Sequence, residues 1–201
     1  RASVHEVVMD LVDPEGRVVG FASLVQDVTE RLNTERTIHY MAHHDALTGL
    51  LNRRLLEDRL QQSITLARRN DALVAVMLID LDGFKAVNDL HGHEVGDRVL
   101  QALAQRLEAH LRRSDRAVRL GGEEFALLLP ETPLPQALRL AERLRRAVEA
   151  MAVPPVARIT ASFGVAEARP TDTPLTLLRP AADATHRANR TRKTPAEAPP
   201  N

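Results

Sequence analysis

Arg119-Leu120-Gly121-Gly122-Glu123-Glu124-Phe125 stands between two apolar runs, and the fold follows from how it is read. Paired glycines make a tight turn, so the flanking residues predict a hairpin over 116–129. A hairpin has no need of two adjacent glutamates, which are poor strand formers. The glycines let backbone approach a phosphate closely, and the glutamates offer the oxygen ligands that Mg²⁺ prefers. The plainer alternative is a solvated acidic hairpin.

Upstream, the apolar run from Leu73 to Ile79 predicts a strand over 73–81 that ends in Asp80-Leu81-Asp82. A carboxylate at the end of an apolar strand sits where the sheet meets solvent; taken alone, it reads equally as the start of a turn. If this strand neighbours the hairpin, Asp80 and Glu123 converge at the sheet edge. Two such carboxylates suit metal-assisted phosphoryl or nucleotidyl transfer.

Around these elements the spacing predicts helices over 53–69, 94–113, 134–151 and 175–190, with a strand over 157–166. Leu100, Leu103, Leu107 and Leu111 share one helical face, as do Ala137, Ala141, Leu144 and Val148. Asn52 is placed to cap the first of these helices. The order β-α-β-β-α-β predicts an α+β, ferredoxin-like (split βαβ) domain. Its single central antiparallel sheet would carry helices mainly on one face, as in polymerase palms and nucleotide cyclases.

The 201 residues suit one medium domain with a smaller appendage. Hydrophobic residues make up 44%, and Lys+Arg balance Asp+Glu at 27 each, so no net field gathers a nucleic-acid polymer. Absence of cysteine excludes disulfides, thiolate catalysis and Cys-based zinc sites, and suits a cytoplasmic setting. No apolar run approaches the roughly 20 residues of a membrane span, so no direct membrane contact is expected of this segment. The chain opens mid-element, which reads as part of a longer protein and is compatible with a membrane-anchored parent.

Residues 4–11 and 17–26 predict two strands joined by the turn Asp13-Pro14-Glu15-Gly16. Two strands cannot bury a core alone. With the exit Asp27-Val28-Thr29-Glu30-Arg31, residues 1–27 resemble the C-terminal end of a PAS sensor domain. A connecting helix follows over 28–44, with Val28, Leu32, Ile38 and Met41 apolar but no clean heptad.

Gly121-Gly-Glu-Glu-Phe125 resembles the signature of the GGDEF family, the diguanylate cyclases. Asp45-Ala-Leu-Thr-Gly-Leu-Leu-Asn-Arg53 matches that family's opening, and Asp80-Leu-Asp-Gly-Phe-Lys-Ala-Val-Asn-Asp89 with Gly92-His-Glu-Val-Gly-Asp97 matches its substrate segment. The resemblance places the domain at 45–190 and a Pro-rich, disordered tail at 191–201. It implies condensation of two GTP into cyclic di-GMP with release of two pyrophosphates. Because one domain offers one nucleotide site, a homodimer is implied.

The resemblance also implies roles. Asp80, the carbonyl of Leu81 and Glu123 would ligate Mg²⁺, with Mn²⁺ as the alternative. Glu124 would deprotonate the attacking 3′-hydroxyl or assist a second metal. Lys85 would neutralise phosphate charge, Asn88 and Asp97 would read guanine, and Phe84, Gly121 and Gly122 would line the substrate. Plainer readings stand beside these: a solvated Lys85, a turn-forming Asn88, an Asp97 attracted to a helix N-terminus. His91 and His93 lack a third ligand and read as structural. Arg112-Arg-Ser-Asp115 lies at the offset of the family's Arg-x-x-Asp product-inhibition site, with Arg143 as an assisting cation. Arg at a helix C-terminus and Asp in the turn after it is the plainer account.

The last helix departs from the family pattern. Thr185 and His186 stand where a Leu-Tyr pair is usual, Asn189 replaces a triphosphate-contacting Lys, and Arg192 replaces a glycine. Loss of one charge-assisted contact costs roughly 1.5–3 kcal/mol, and Arg190 or Lys193 are candidate substitutes. The alternative function is therefore a weak or inactive module that binds GTP or cyclic di-GMP as a sensor. An adenylate cyclase-like enzyme would share the palm plan but is not supported by Asn88 and Asp97.

Overall fold

The computed structural model describes residues 3–70, 72–169 and 171–193, and divides into a unit over residues 1–42 and a second over 43–201. In the first unit, β1 (Val4–Val12) pairs antiparallel with β2 (Val18–Asp27). The Asp13 carboxylate closes the turn by accepting from the backbone N–H groups of Glu15 and Arg17, at 3.0 and 2.8 Å. Val7, Met9, Leu11 and Leu24 share one face of this hairpin and remain exposed. Helix α1 (Thr29–His43) follows, its start fixed where the Asp27 carboxylate accepts from the Thr29 N–H at 2.9 Å. The side chains of Leu32 and Ile38, two of the expected apolar positions, lie outside the described residues.

The second unit runs β3 (Leu51–Asn52), α2 (Arg53–Asn70), β4 (Val74–Leu81), α3 (Phe84–His91), α4 (His93–Glu108), β5 (Arg116–Gly121), β6 (Glu124–Pro130), α5 (Leu134–Glu149), β7 (Ala161–Glu167) and α6 (Pro174–Lys193). Its sheet order is β3-β5-β6-β4-β7. The four long strands pair antiparallel in the split-βαβ plan. The two-residue β3, which the sequence does not announce, adds a parallel pair to β5.

Helices cover both faces of the sheet, not mainly one. On one side β4, β6 and β7 pack through Ala75, Met77, Ile79, Leu127 and Leu129 against α3, α4 and α5. On the other, Val74, Val76, Ala126 and Leu128 meet Leu56, Leu60 and Ile64 of α2 and Leu177 and Ala181 of α6. The reason is legible in the strands themselves. Val-Ala-Val-Met-Leu-Ile and Phe-Ala-Leu-Leu-Leu are continuous apolar runs without polar alternation, the pattern of strands buried on both faces.

Several elements differ from expectation. Helix α4 stops at Glu108, short of the expected residue 113, because residues 109–115 turn around the Asp115 carboxylate, which accepts from the Arg112 N–H at 2.9 Å. Strand β7 begins at Ala161 and not at 157, because among the described residues it pairs with β4 alone, and β4 ends at Leu81, opposite Ala161. The segment 84–91 is a separate helix, started by Gly83 in the left-handed region. Asn52 caps α2 as expected, its side-chain oxygen accepting from the Leu55 N–H at 3.2 Å. Helix α6 extends through Lys193, three residues into the expected tail of 191–201; the rest of that tail lies outside the described residues. Among the described residues, no helix is long and apolar enough to cross a membrane.

Candidate active site

The central strand β4 brings the acidic residues together. Asp80 pairs with Glu124 across β6 and with Ser162 across β7. The backbone N–H of Leu81 donates to the carbonyl of Glu123 at 3.4 Å, which ties the strand end to the glycine turn. Asp82 is spoken for. Its two carboxylate oxygens accept from the hydroxyls of Thr160 and Ser162, each at 2.7 Å, so it orders the end of β7.

The turn is held from outside by one side chain. Gly121 (φ 139°) and Gly122 (φ 53°) occupy backbone conformations that L side chains rarely adopt. The Arg119 guanidinium donates to the Gly122 carbonyl at 2.9 and 3.1 Å and to both oxygens of Asp45 at 3.0 and 3.2 Å. Asp45 in turn accepts from the N–H and hydroxyl of Thr48, at 2.9 and 2.6 Å. Both residues stand in stretches singled out from the sequence, but neither had been given this role. Only the long-range contact reveals it.

Asp80 is half-buried, and its carboxyl is pushed above the usual range, first by burial and then by the charges of Glu123, Glu124 and Asp82. A hydrogen bond from Asn189 opposes the rise. The Asn189 amide nitrogen donates to one Asp80 oxygen at 2.5 Å. Four residues earlier on α6, buried Thr185 bonds the Ala181 carbonyl at 2.9 Å and the Leu78 carbonyl of β4 at 3.4 Å. Gly164 permits this close approach, since a Cβ there would collide with the Ala181 carbonyl and with Thr185.

On the other side of the strand end, α3 carries Lys85, exposed, and Asn88, half-buried. The Asn88 side-chain oxygen is buried and has no hydrogen-bond partner among the described residues. Gly96 makes room for it, because a Cβ at 96 would collide with that oxygen. Asp97, next to Gly96 on α4, is exposed. The Phe84 ring belongs to the core, so any substrate contact at that position falls to its backbone.

The family description "Diguanylate cyclase, GGDEF domain" matches residues 42–195. The chain belongs to the GGDEF diguanylate cyclase family. It is 43% identical over 169 residues to diguanylate cyclase DgcM of Escherichia coli (strain K12), a match covering 82% of this chain and 40% of that protein. The chain thus spans about two fifths of that curated relative. Among solved structures it resembles diguanylate cyclase SiaD of Pseudomonas aeruginosa in complex with its activator SiaC, with TM-score 0.72, 38% identity, and 81% of this chain and 64% of that chain covered. It also resembles the coiled coil and GGDEF domain of DgcB from Caulobacter crescentus in complex with c-di-GMP, with TM-score 0.75, 27% identity, and 81% and 88% covered.

Within this GGDEF domain, the residues expected at the metal and the turn gather at one sheet edge. Among the described residues no three His, Asp or Glu side chains form a ready-made cation cage. Mg²⁺ needs only one or two carboxylates when substrate phosphates complete its shell, so Asp80 and Glu123 with the Leu81 carbonyl fit it. The departures on α6 also take physical form. Asn189 sits on Asp80, and Asp183, His186, Arg187, Asn189 and Arg190 line an adjacent cavity of about 550 Å³. The side chains of Arg192 and Lys193 lie outside the described residues.

The expected product site lies apart from this edge. Asp115 is buried, and one of its carboxylate oxygens accepts from the Arg112 N–H at 2.9 Å, which closes the turn. The Arg112 side chain is exposed. Arg143 on α5 donates to the His110 carbonyl at 3.0 Å, which brings both cations to the C-terminal end of α4. Arg112 and Asp115 also line a cleft of about 300 Å³ with His44, Leu50 and Glu108.

Proposed function

We infer that this GGDEF domain condenses two GTP into cyclic di-GMP and two pyrophosphates, at the interface of a homodimer. The observation that carries the reading is the register of Asp80 opposite Glu124, with Glu123 joined to Leu81 through the backbone. Bound at Asp80, Glu123 and the Leu81 carbonyl, Mg²⁺ would supply charge neutralisation on the triphosphate.

The remaining work falls to the chain itself. Exposed Glu124 takes the proton from a 3′-hydroxyl, whose oxygen then bonds the α-phosphorus of the facing nucleotide while pyrophosphate leaves. Lys85 contributes a point charge to the phosphates. The unsatisfied Asn88 oxygen and the Asp97 carboxylate are acceptors, and guanine presents donors at N1 and its 2-amino group that adenine lacks in that pattern. Burying such acceptors unpaired is costly, which favours GTP. Gly121 and Gly122 leave backbone open to phosphate.

Incubation with GTP and Mg²⁺ should yield cyclic di-GMP, and Glu124→Gln should abolish it while nucleotide still binds. A folded dimer that binds GTP without turnover would instead make the domain a sensor, a reading to which the amide at position 189 lends support. Arg112, Asp115 and Arg143 are proposed to bind cyclic di-GMP as feedback; the cyclic di-GMP complex of DgcB lends support from a relative. The β1–β2 hairpin, with its uncovered apolar face, is proposed to be the end of a PAS-like sensor over 1–27 whose connecting helix governs pairing of two cytoplasmic domains.

A further inference from the structure

Helix α6 is bolted to β4 at two points. Thr185 reaches the Leu78 carbonyl and Asn189 reaches the Asp80 carboxylate. The spacings match: four helical residues rise about 6 Å, and two strand residues about 6.7 Å. Gly164 sets the depth at which the helix lies. The amide of Asn189 is thus delivered to Asp80 by the Thr185 contact and by the close packing at Gly164.

The amide occupies one Asp80 oxygen and leaves its own oxygen, Oδ1, buried and without a partner among the described residues. Buried acceptors in folded proteins are nearly always satisfied, so an orphan marks a missing donor. Asn189 is uncharged, and it stands where the family pattern has a lysine. An ammonium at this place would compete with a cation for Asp80. An amide orients the carboxylate and leaves its charge in place.

We propose that Asn189 is a positioning residue which, through Asp80, lets the carboxylate edge hold a hydrated divalent cation before any nucleotide arrives. This rests on the metal-dependent reading of the site given above. The ligand class is a hard, oxygen-seeking dication that keeps several waters, as Mg²⁺ does.

The test is a titration of the full chain with Mn²⁺ alone, followed by electron paramagnetic resonance without nucleotide. The wild type should take up Mn²⁺ at one site that Asp80→Asn removes. Asn189→Ala should weaken Mn²⁺ binding 10- to 100-fold, the usual effect of removing a group that orients a metal ligand, with its thermal midpoint as the check on folding. Asn189→Lys, which restores the family residue, should abolish uptake of Mn²⁺ alone. No Mn²⁺ uptake by the wild type, or unchanged affinity in either Asn189 variant, would overturn the proposal. Mn²⁺ binding as described in a chain that makes no cyclic di-GMP would sink the cyclase reading alone. Cyclic di-GMP formation with Mn²⁺ affinity indifferent to residue 189 would sink only this inference.

Discussion

Arg119 and Asp45, 74 residues apart, form an ion pair with oxygens at 3.0 and 3.2 Å from one guanidinium nitrogen, and the same guanidinium holds the Gly122 carbonyl. Their side chains are only 12% and 24% exposed, so the pair is shielded from the screening that makes most surface pairs weak. The glycine turn is therefore a clamped element.

Arg119→Ala should destabilise the domain by about 1–3 kcal/mol, the cost of leaving buried acceptors unpaired, and lower cyclic di-GMP formation through a loosened turn. Denaturant unfolding and a turnover assay read the two effects.

Burial alone would raise the Asp45 carboxyl, but the Thr48 hydroxyl, Arg119 and the Thr48 backbone outweigh it and hold it below the usual carboxylate range. A depressed folded-state value means this stabilisation is full above the unfolded value near 3.9 and is lost as pH falls through the folded one. Acid titration of Asp45→Asn should show lower stability at neutral pH, and a difference from wild type that shrinks below about pH 4.

Gly164→Ala places a methyl group against the Ala181 carbonyl and Thr185. Overpacking of this kind costs about 1–3 kcal/mol and should lift α6 off β4, separating Asn189 from Asp80. A loss of stability joined to weaker Mn²⁺ binding is the expected pair of results. Lost stability with unchanged metal affinity would mean that helix placement does not govern the carboxylate.

Gly96→Ala drives a methyl group into the Asn88 oxygen. The expected outcome is a higher KM for GTP and a smaller preference for GTP over ATP. Competition between the two nucleotides measures it, and unchanged selectivity would remove Asn88 from base recognition.

Arg112 and Asp115 should separate cleanly. Arg112→Ala should weaken cyclic di-GMP binding without changing the thermal midpoint, because its side chain is exposed. Asp115→Ala should lower the midpoint, because a buried carboxylate closes the turn after α4. Cyclic di-GMP affinity indifferent to Arg112 would remove the inhibitory site.

Local chemistry alone was enough to announce much of this domain. Glycine pairs make turns wherever they stand, and apolar residues at helical spacing make one-sided helices, so the hairpin at Gly121-Gly122 and helices α2, α4 and α5 were legible. The order of elements also implied the split-βαβ plan, and the motifs pointed to the acidic edge. Other features depend on which strands become neighbours, and no local pattern encodes that. The apolar run of β4 was compatible with one or two buried faces until α2 and α6 covered the second. Asp82 carried no assigned role until Thr160 and Ser162 took both its oxygens. Arg119 had no role until Asp45 came within 3.0 Å. Asn189 read only as a missing charge. In the folded chain it is a donor on Asp80, because the pitch of a helix and the rise of a strand bring residues 109 positions apart into register.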